Sequence, residues 1–392
     1  MTIDYDASSL SGWCGLPFLI VRFRGTILAG TIFGPLFWLS NLAHIALLFV
    51  NGRFRIGHYR QVANASHPDA EDEWVPAWEG AELPVLDWKY ATIGIALLFF
   101  FIVFYNNNSY SRFYTLYGHT VGMGARVMEW TALVKQHSLN ATPEHRWAQW
   151  NCVRLMLAGM NILYYSLFGG DMDKEEWARI VERNLLSVDE VRQLKDYKGM
   201  KPFLAVVWAL DEAQALVREK ARADESLHHD LGQGMRDELI HQQFRDVAFQ
   251  FRGHCGQIVN LLKQPVPFPY FHLLSMMLLI QLLMIAYALA SPPSASPYFT
   301  IPVMVIISIV LVGMRSLAVQ LSNPFGNDSV DFDIEKFMKG AYTNAVALLL
   351  AERDVCASAA PSQMRCPLLP DGGQGLPRPA PLPPPGDARQ DL

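Results

Sequence analysis

Uncharged, largely apolar stretches punctuate this chain at four places. Residues 27–50 hold no Asp, Glu, Lys or Arg over 24 positions. At 1.5 Å per residue that is ~36 Å of helix, enough for a hydrocarbon core of ~30 Å. Residues 268–290 are nearly as long and equally uncharged. Residues 90–105 and 300–314 are shorter and would span only ~24 Å. A short apolar block has two readings: a buried core helix, or a span whose polar ends are sheltered by protein or line water. The second is favoured because each short block sits beside a long one. The pattern therefore predicts an all-α membrane protein with four transmembrane helices.

Between the second and third blocks the sequence turns charged and carries apolar residues at helical spacing, as in Val153, Leu157, Met160 and Leu163. This predicts a large cytosolic helical domain over 106–266. The expected order is a cytosolic N-terminal segment (1–26), two membrane helices with their loop (27–105), that domain, two more membrane helices (267–319), a C-terminal helical segment (320–357) and a tail (358–392). The tail contains LPRPAPLPPPGDARQ. It cannot build a core and is expected to be polyproline-like and disordered, available to a polyproline-binding partner. Arg22 and Arg24 lie just before the first block, whereas the loop 291–298 lacks Lys and Arg. The positive-inside rule then places both termini in the cytosol, against the weaker pull of Arg53, Arg55 and Arg60.

Composition narrows the function. Of 392 residues, 51% are hydrophobic and 18% charged, so disorder is excluded for most of the chain. A net charge of −5 gives no basic footprint for nucleic acid. The five cysteines (Cys14, Cys152, Cys255, Cys356, Cys366) show no paired spacing, which excludes a disulfide framework and gives zinc no support. The start, MTIDYDASSL, is acidic, so neither a signal nor a transit peptide is expected. No nucleophile–base set or HExxH pattern appears, and the chain is not expected to be an enzyme.

Two stretches carry chemistry. In GIALLFFFIVFYNNNSYSRFY, Ala96, Phe100, Phe104 and Asn108 recur every fourth residue and line one helical face. Such a stripe is ordinarily packing. The abrupt step to Asn106, Asn107 and Asn108 changes the picture. Amides donate hydrogen bonds to an ion without trapping it, and phenyl rings present positive edges that tolerate an anion. Several such helices around an axis would form an apolar constriction that gates by dewetting. Alternatively, the asparagines cap a short helix. In QLSNPFGNDSVDFDIEKF, Asn323, Asp328 and Asp331 surround Pro324 and Gly326. Oxygen donors on a turn suit Ca²⁺. The EF-hand spacing is absent, and a solvated acidic turn is the ordinary reading. His44, inside the first block, reads as a packed interior residue in preference to a ligand or proton relay.

Three places in this sequence resemble the bestrophins, pentameric anion channels: MTIDY with FRG (23–25) ahead of the first block, NNNSYSRFY after the second, and NPFG (323–326) after the fourth. The resemblance covers about residues 1–350, and NPFG is its most specific part. It implies a homopentamer in a lipid bilayer, passing chloride and other inorganic anions, bicarbonate among them. It implies a pore neck at Ala96, Phe100 and Phe104, with Ala96 smaller than the bulky apolar residue usual there, and a pore entrance at Asn106, Asn107 and Asn108. It implies a Ca²⁺ clasp from the Gln320 carbonyl, Asn323, Asp328, Asp331 and a carbonyl at Ser9 or Leu10. Asn327, Ser329 and Val330 replace part of the denser acidic run of animal members, so weaker calcium binding is expected. A cytosolic aperture is expected near 215–225. The plasma membrane is the expected location, with an organellar membrane as the alternative. A competing class is a membrane-anchored scaffold that uses the helical domain and the proline-rich tail to bind partners. An intramembrane enzyme ranks third, because the spans lack paired carboxylates.

Overall fold

Helices pack into two units in this structure, a computed structural model that describes residues 26–54, 57–64, 67–76, 83–139, 142–169, 172–225, 233–264, 267–326 and 330–351. Ser9, Leu10, Asp328 and the proline-rich tail lie outside the described residues. The first unit comprises 1–115 and 264–332, the second 116–263 and 333–392.

The first unit begins with α1 (Ile27–Ile32) and α2 (Pro35–Val50). One helix over 27–50 was expected; the structure divides it at Phe33 and Gly34. Pro35 starts α2, where its missing N–H costs nothing, and it forces the preceding residue out of the helical region. Gly34 accordingly has φ −71° and ψ 140°. A Cβ at Gly34 would lie 3.1 Å from the Thr31 carbonyl oxygen, so the close turn favours glycine. Beyond α2, β1 (Gly57–Asn64) and β2 (His67–Pro76) pair antiparallel, with Gly57 opposite Pro76. The sequence reading held no strand here. These are the only strands among the described residues.

Then come α3 (Trp88–His137), α9 (Phe268–Ala290) and α10 (Pro297–Ser322), each long and apolar enough to cross a membrane. Helix α9 coincides with the third apolar block. Helix α10 extends eight residues past the expected fourth block, because Arg315 ends the apolar run without ending the helix. At 16 residues α2 spans only ~24 Å and falls short of a full crossing. Helix α2 packs on α9 and α10, and α10 also meets α1. Leu98, Ile102 and Tyr105 of α3 pack with Leu278 and Leu282 of α9 and Met304 and Leu311 of α10.

Polar groups in this unit join helices instead of facing lipid, as a medium without water demands. Ser40 and Ser308 hydroxyls lie 3.2 Å apart. Fully buried His44 places Nδ1 2.9 Å from the Ala286 carbonyl, linking α2 to α9. Asn51 donates to Ala290 O at 2.9 Å. Gln281 donates to Ala91 O at 2.8 Å, and only a glycine at 94 admits it: a Cβ there would sit 2.0 Å from the Gln281 Oε1.

The second unit takes the C-terminal part of α3, then α4 (Pro143–Gly169), α5 (Lys174–Glu182), α6 (Val188–Asp196), α7 (Lys201–Glu225), α8 (Gln233–Lys263) and α11 (Ile334–Leu350). Helix α4 is its centre and packs against α5, α7 and α11. Val153, Leu157, Met160 and Leu163 are all buried, as the helical spacing predicts. Trp130 donates from Nε1 to the Cys152 carbonyl at 3.1 Å. Capping boxes begin α5 (Asp173 with Glu176) and α6 (Ser187 with Glu190), so each helix start has its orphan N–H groups met. Cys152 and Cys255 are free and buried, and burial pushes the Cys255 thiol up to about 12.

Candidate functional site

Helix α3 continues without interruption for 50 residues, a rod of ~75 Å. The asparagines therefore do not cap it. Asn106 Nδ2 donates to Ile102 O at 2.9 Å, a bond back along the same helix. This side chain is half-buried and turns away from Asn107 and Asn108, which are exposed. Of the three amides expected at the entrance, two share the outward face.

That outward face is broad, taking in Ile93, Leu97, Phe99 and Val103 as well. Leu98, Ile102, Tyr105 and Ser109 are buried on one side of α3. On the other, Ala96, Phe100 and Phe104 are exposed, Phe100 at 64% and Phe104 at 49%. Phe104 touches Tyr270 edge to face at 6.2 Å, and Phe100 meets Phe101 at 5.9 Å. The three positions expected at a neck thus lie on one apolar stripe that the chain leaves uncovered and supports from one flank.

The second candidate is the turn leaving α10. Asn323 N–H bonds to the Gln320 carbonyl at 3.4 Å, and Asn323 Oδ1 accepts from Phe325 N at 3.4 Å. Phe332 N donates to Pro324 O at 2.9 Å and closes the loop. Inside it Asp331 is 3% exposed, its carboxylate lying against Gly326. A Cβ on Gly326 would meet Asp331 Oδ2 at 2.7 Å, so this position excludes larger residues. Phe325 is buried and packs against Phe332, whose ring meets that of Phe113 at a tilt, 4.8 Å between centroids. Gln320 Oε1 is buried and finds no partner among the described residues.

Turn donors of this kind are all oxygens, the set a hard cation prefers, and one carboxylate is already buried among them. The residues present fit calcium in kind. Among the described residues no three His, Cys, Asp or Glu side chains gather into a metal cluster; Asp331 is the buried carboxylate of this turn.

Sequence reasoning passed over Arg315. It lies within α10, donates from Nη2 to Ser275 Oγ at 3.1 Å, and sits over the Phe271 ring at 4.8 Å. A charge inside a membrane helix is a functional signal, and the signal was lost by ending the apolar block at Met314.

A profile of the family described as Bacterial/Fungal Bestrophin protein matches residues 61–346. The chain belongs to this family. Two mutant crystal structures of a bacterial bestrophin homologue from Klebsiella pneumoniae share the fold. One is 19% identical with a TM-score of 0.58, over 81% of this chain and 98% of the homologue. The other is 17% identical with a TM-score of 0.59, over 80% and 97%. No match was found among curated proteins. Bestrophin membership, with three helices long and apolar enough to cross a bilayer, makes this an integral membrane protein.

Proposed function

We propose that the chain forms a homopentameric, anion-selective channel in the plasma membrane, passing chloride and bicarbonate. The observation that carries this reading is the exposed stripe Ala96–Phe100–Phe104 on a helix whose other face is buried. An apolar stripe followed at once by neutral amides suits a narrow dry neck with a hydrogen-bonding mouth. Ala96, Phe100 and Phe104 form the neck, and Asn107 and Asn108 its mouth, with Asn106 bracing the helix behind them. Helices α1 and α2 together serve as a fourth, broken membrane segment beside α3, α9 and α10.

The decisive experiment is a planar-bilayer recording of purified protein in a KCl gradient. Reversal near the chloride potential is expected, because Asn107 and Asn108 offer donors and no carboxylate. Reversal near the potassium potential removes the anion-channel reading.

The same proposal includes calcium at the turn after α10, held by the Gln320 carbonyl, Asn323, Asp328, Asp331 and the Leu10 carbonyl. Bound there, the ion would tie the N-terminal segment to the end of α10. With few carboxylates, affinity is expected to be modest. Calcium should raise the melting temperature of the wild type, since a ligand at one hundred times its Kd adds about 2.7 kcal/mol. Asp328→Ala/Asp331→Ala should lose that response. Absence of any shift in the wild type at millimolar calcium removes the clasp.

A further inference from the structure

The stretches 27–50, 90–115 and 267–326 contain only two residues with a permanent formal charge, Arg112 and Arg315, and no Asp or Glu. Both arginines belong to the first unit. Arg315 of α10 rests on the Phe271 ring, which meets the Tyr105 ring at 6.3 Å, so this embedded charge lies near Tyr105, one residue before the asparagines. Arg112 stands about two turns further along α3 and donates to the Gln264 carbonyl.

Arg315 is the more informative of the two. A guanidinium stays protonated in any protein setting. Here it is half-buried between α9 and α10. It donates to the Ser275 hydroxyl and rests on the Phe271 ring, and its Nε finds no partner among the described residues. These contacts orient the group and leave its charge intact. Among the described residues no carboxylate pairs with it. An unneutralised charge among membrane helices is costly and is found where function uses it.

Helix α3 separates this charge from the exposed stripe. Tyr105 lies on its buried face toward Arg315; Asn107 and Asn108 lie on its exposed face. A helix is about 10 Å across. A charge held at such a distance by protein is screened far less than one held by water and salt. The mouth amides are neutral, so they can bind an anion without preferring it electrostatically over bulk.

We propose that Arg315, braced by Ser275 and Phe271, is a selectivity-determining residue that supplies the positive potential for small inorganic anions at the inner end of the neck. Arg112 adds to the same field. The inference rests on the channel reading above. In a pentamer the charge is repeated five times around the axis, and a ring of one sign behind low-dielectric walls concentrates counter-ions.

The test uses the full chain in planar bilayers under a KCl gradient, comparing wild type, Arg315→Gln and Arg315→Lys. Glutamine keeps a donor for Ser275 and removes the charge; lysine keeps the charge. The chloride-to-potassium permeability ratio should fall roughly tenfold in the glutamine variant and stay near the wild-type value with lysine. An unchanged ratio in Arg315→Gln overturns the inference and leaves the channel reading standing. A wild type that prefers potassium overturns both. Should the glutamine variant fail to fold, wild-type conductance over a tenfold dilution of KCl decides the matter. It should fall clearly less than tenfold, because fixed charge holds anions at the mouth, and strict proportionality to salt overturns the inference. A merely structural Arg315 would shift the melting temperature of both variants and move neither electrical reading.

Discussion

Phe100→Ala/Phe104→Ala is expected to raise single-channel current roughly tenfold and loosen gating. A factor of ten requires only ~1.4 kcal/mol off the barrier. The two rings are exposed in the subunit, so shortening them removes little intrachain packing; the ring of Phe104 touches Tyr270 and that of Phe100 touches Phe101. Stability should therefore change far less than conductance. In a pentamer each substitution is made five times, which converts an apolar constriction into a wetted one. Ala96→Leu should act oppositely, narrowing the one position where a small side chain stands. Bilayer recordings beside thermal unfolding check both halves of this expectation. Unchanged current with unchanged stability would remove these residues from the conduction path.

The second large effect concerns the fold of the second unit. Arg154 holds Glu190 with two bonds of 2.8 Å, and also donates to the Leu185 carbonyl at 2.9 Å. Both side chains are mostly covered, at 12% and 23% exposure. Glu190 accepts from the Ser187 N–H as well, at 2.7 Å, completing the box that starts α6. Glu190→Ala thus strips a cap and leaves a guanidinium short of its partner. A loss of about 2–3 kcal/mol is expected, below the range for fully buried pairs. Burial by itself would raise the Glu190 carboxyl; the hydrogen bonds from Arg154 and Ser187 outweigh it and hold the group below its ordinary value of 4.5. A carboxyl depressed in the folded state contributes fully above that ordinary value. The contribution drains away as pH falls through the lowered one. Thermal unfolding from pH 7 to pH 3 should show the gap between wild type and Glu190→Ala closing at the acid end. A gap that stays constant with pH would mean the pair adds packing alone.

How much of this was legible in the chain depends on what sets each boundary. Helix α9 was readable end to end because Pro267 opens it and a Ser-Pro-Pro run closes it. Helix α10 was cut short because hydropathy stops at Arg315, whereas the helix stops at Asn323. A composition rule cannot see a guanidinium that a serine and a phenyl ring have already accommodated. The break at Gly34–Pro35 was spelled out in two residues but masked by apolarity on both sides. Asn106 misled for the opposite reason. Three polar residues in a row look like an end, yet an asparagine that bonds its own helix four residues back prolongs it. The hairpin 57–76 was missed because β2 is rich in carboxylates and neither strand alternates apolar with polar residues. At the turn after α10, the NPFG motif pointed to the place. That Asp331 is buried against Gly326 follows from the loop closing between Pro324 and Phe332, which no spacing rule contains.

The continuity of α3 carries a further consequence, one of phase. Within the first unit its buried positions Ala91, Leu98, Ile102, Tyr105 and Ser109 follow one another at three, four or seven residues, one track along the helix. Each residue turns the helix by about 100°. The direction in which Phe104 points is thereby fixed, by counting alone, against the direction in which Leu98 points. One inserted or deleted residue anywhere between them would swing every later side chain by that angle, and about three and a half would be needed to bring it round again. In this stretch of sequence, length is as strictly constrained as identity, and a one-residue deletion between Leu98 and Phe104 should be more damaging than most substitutions there.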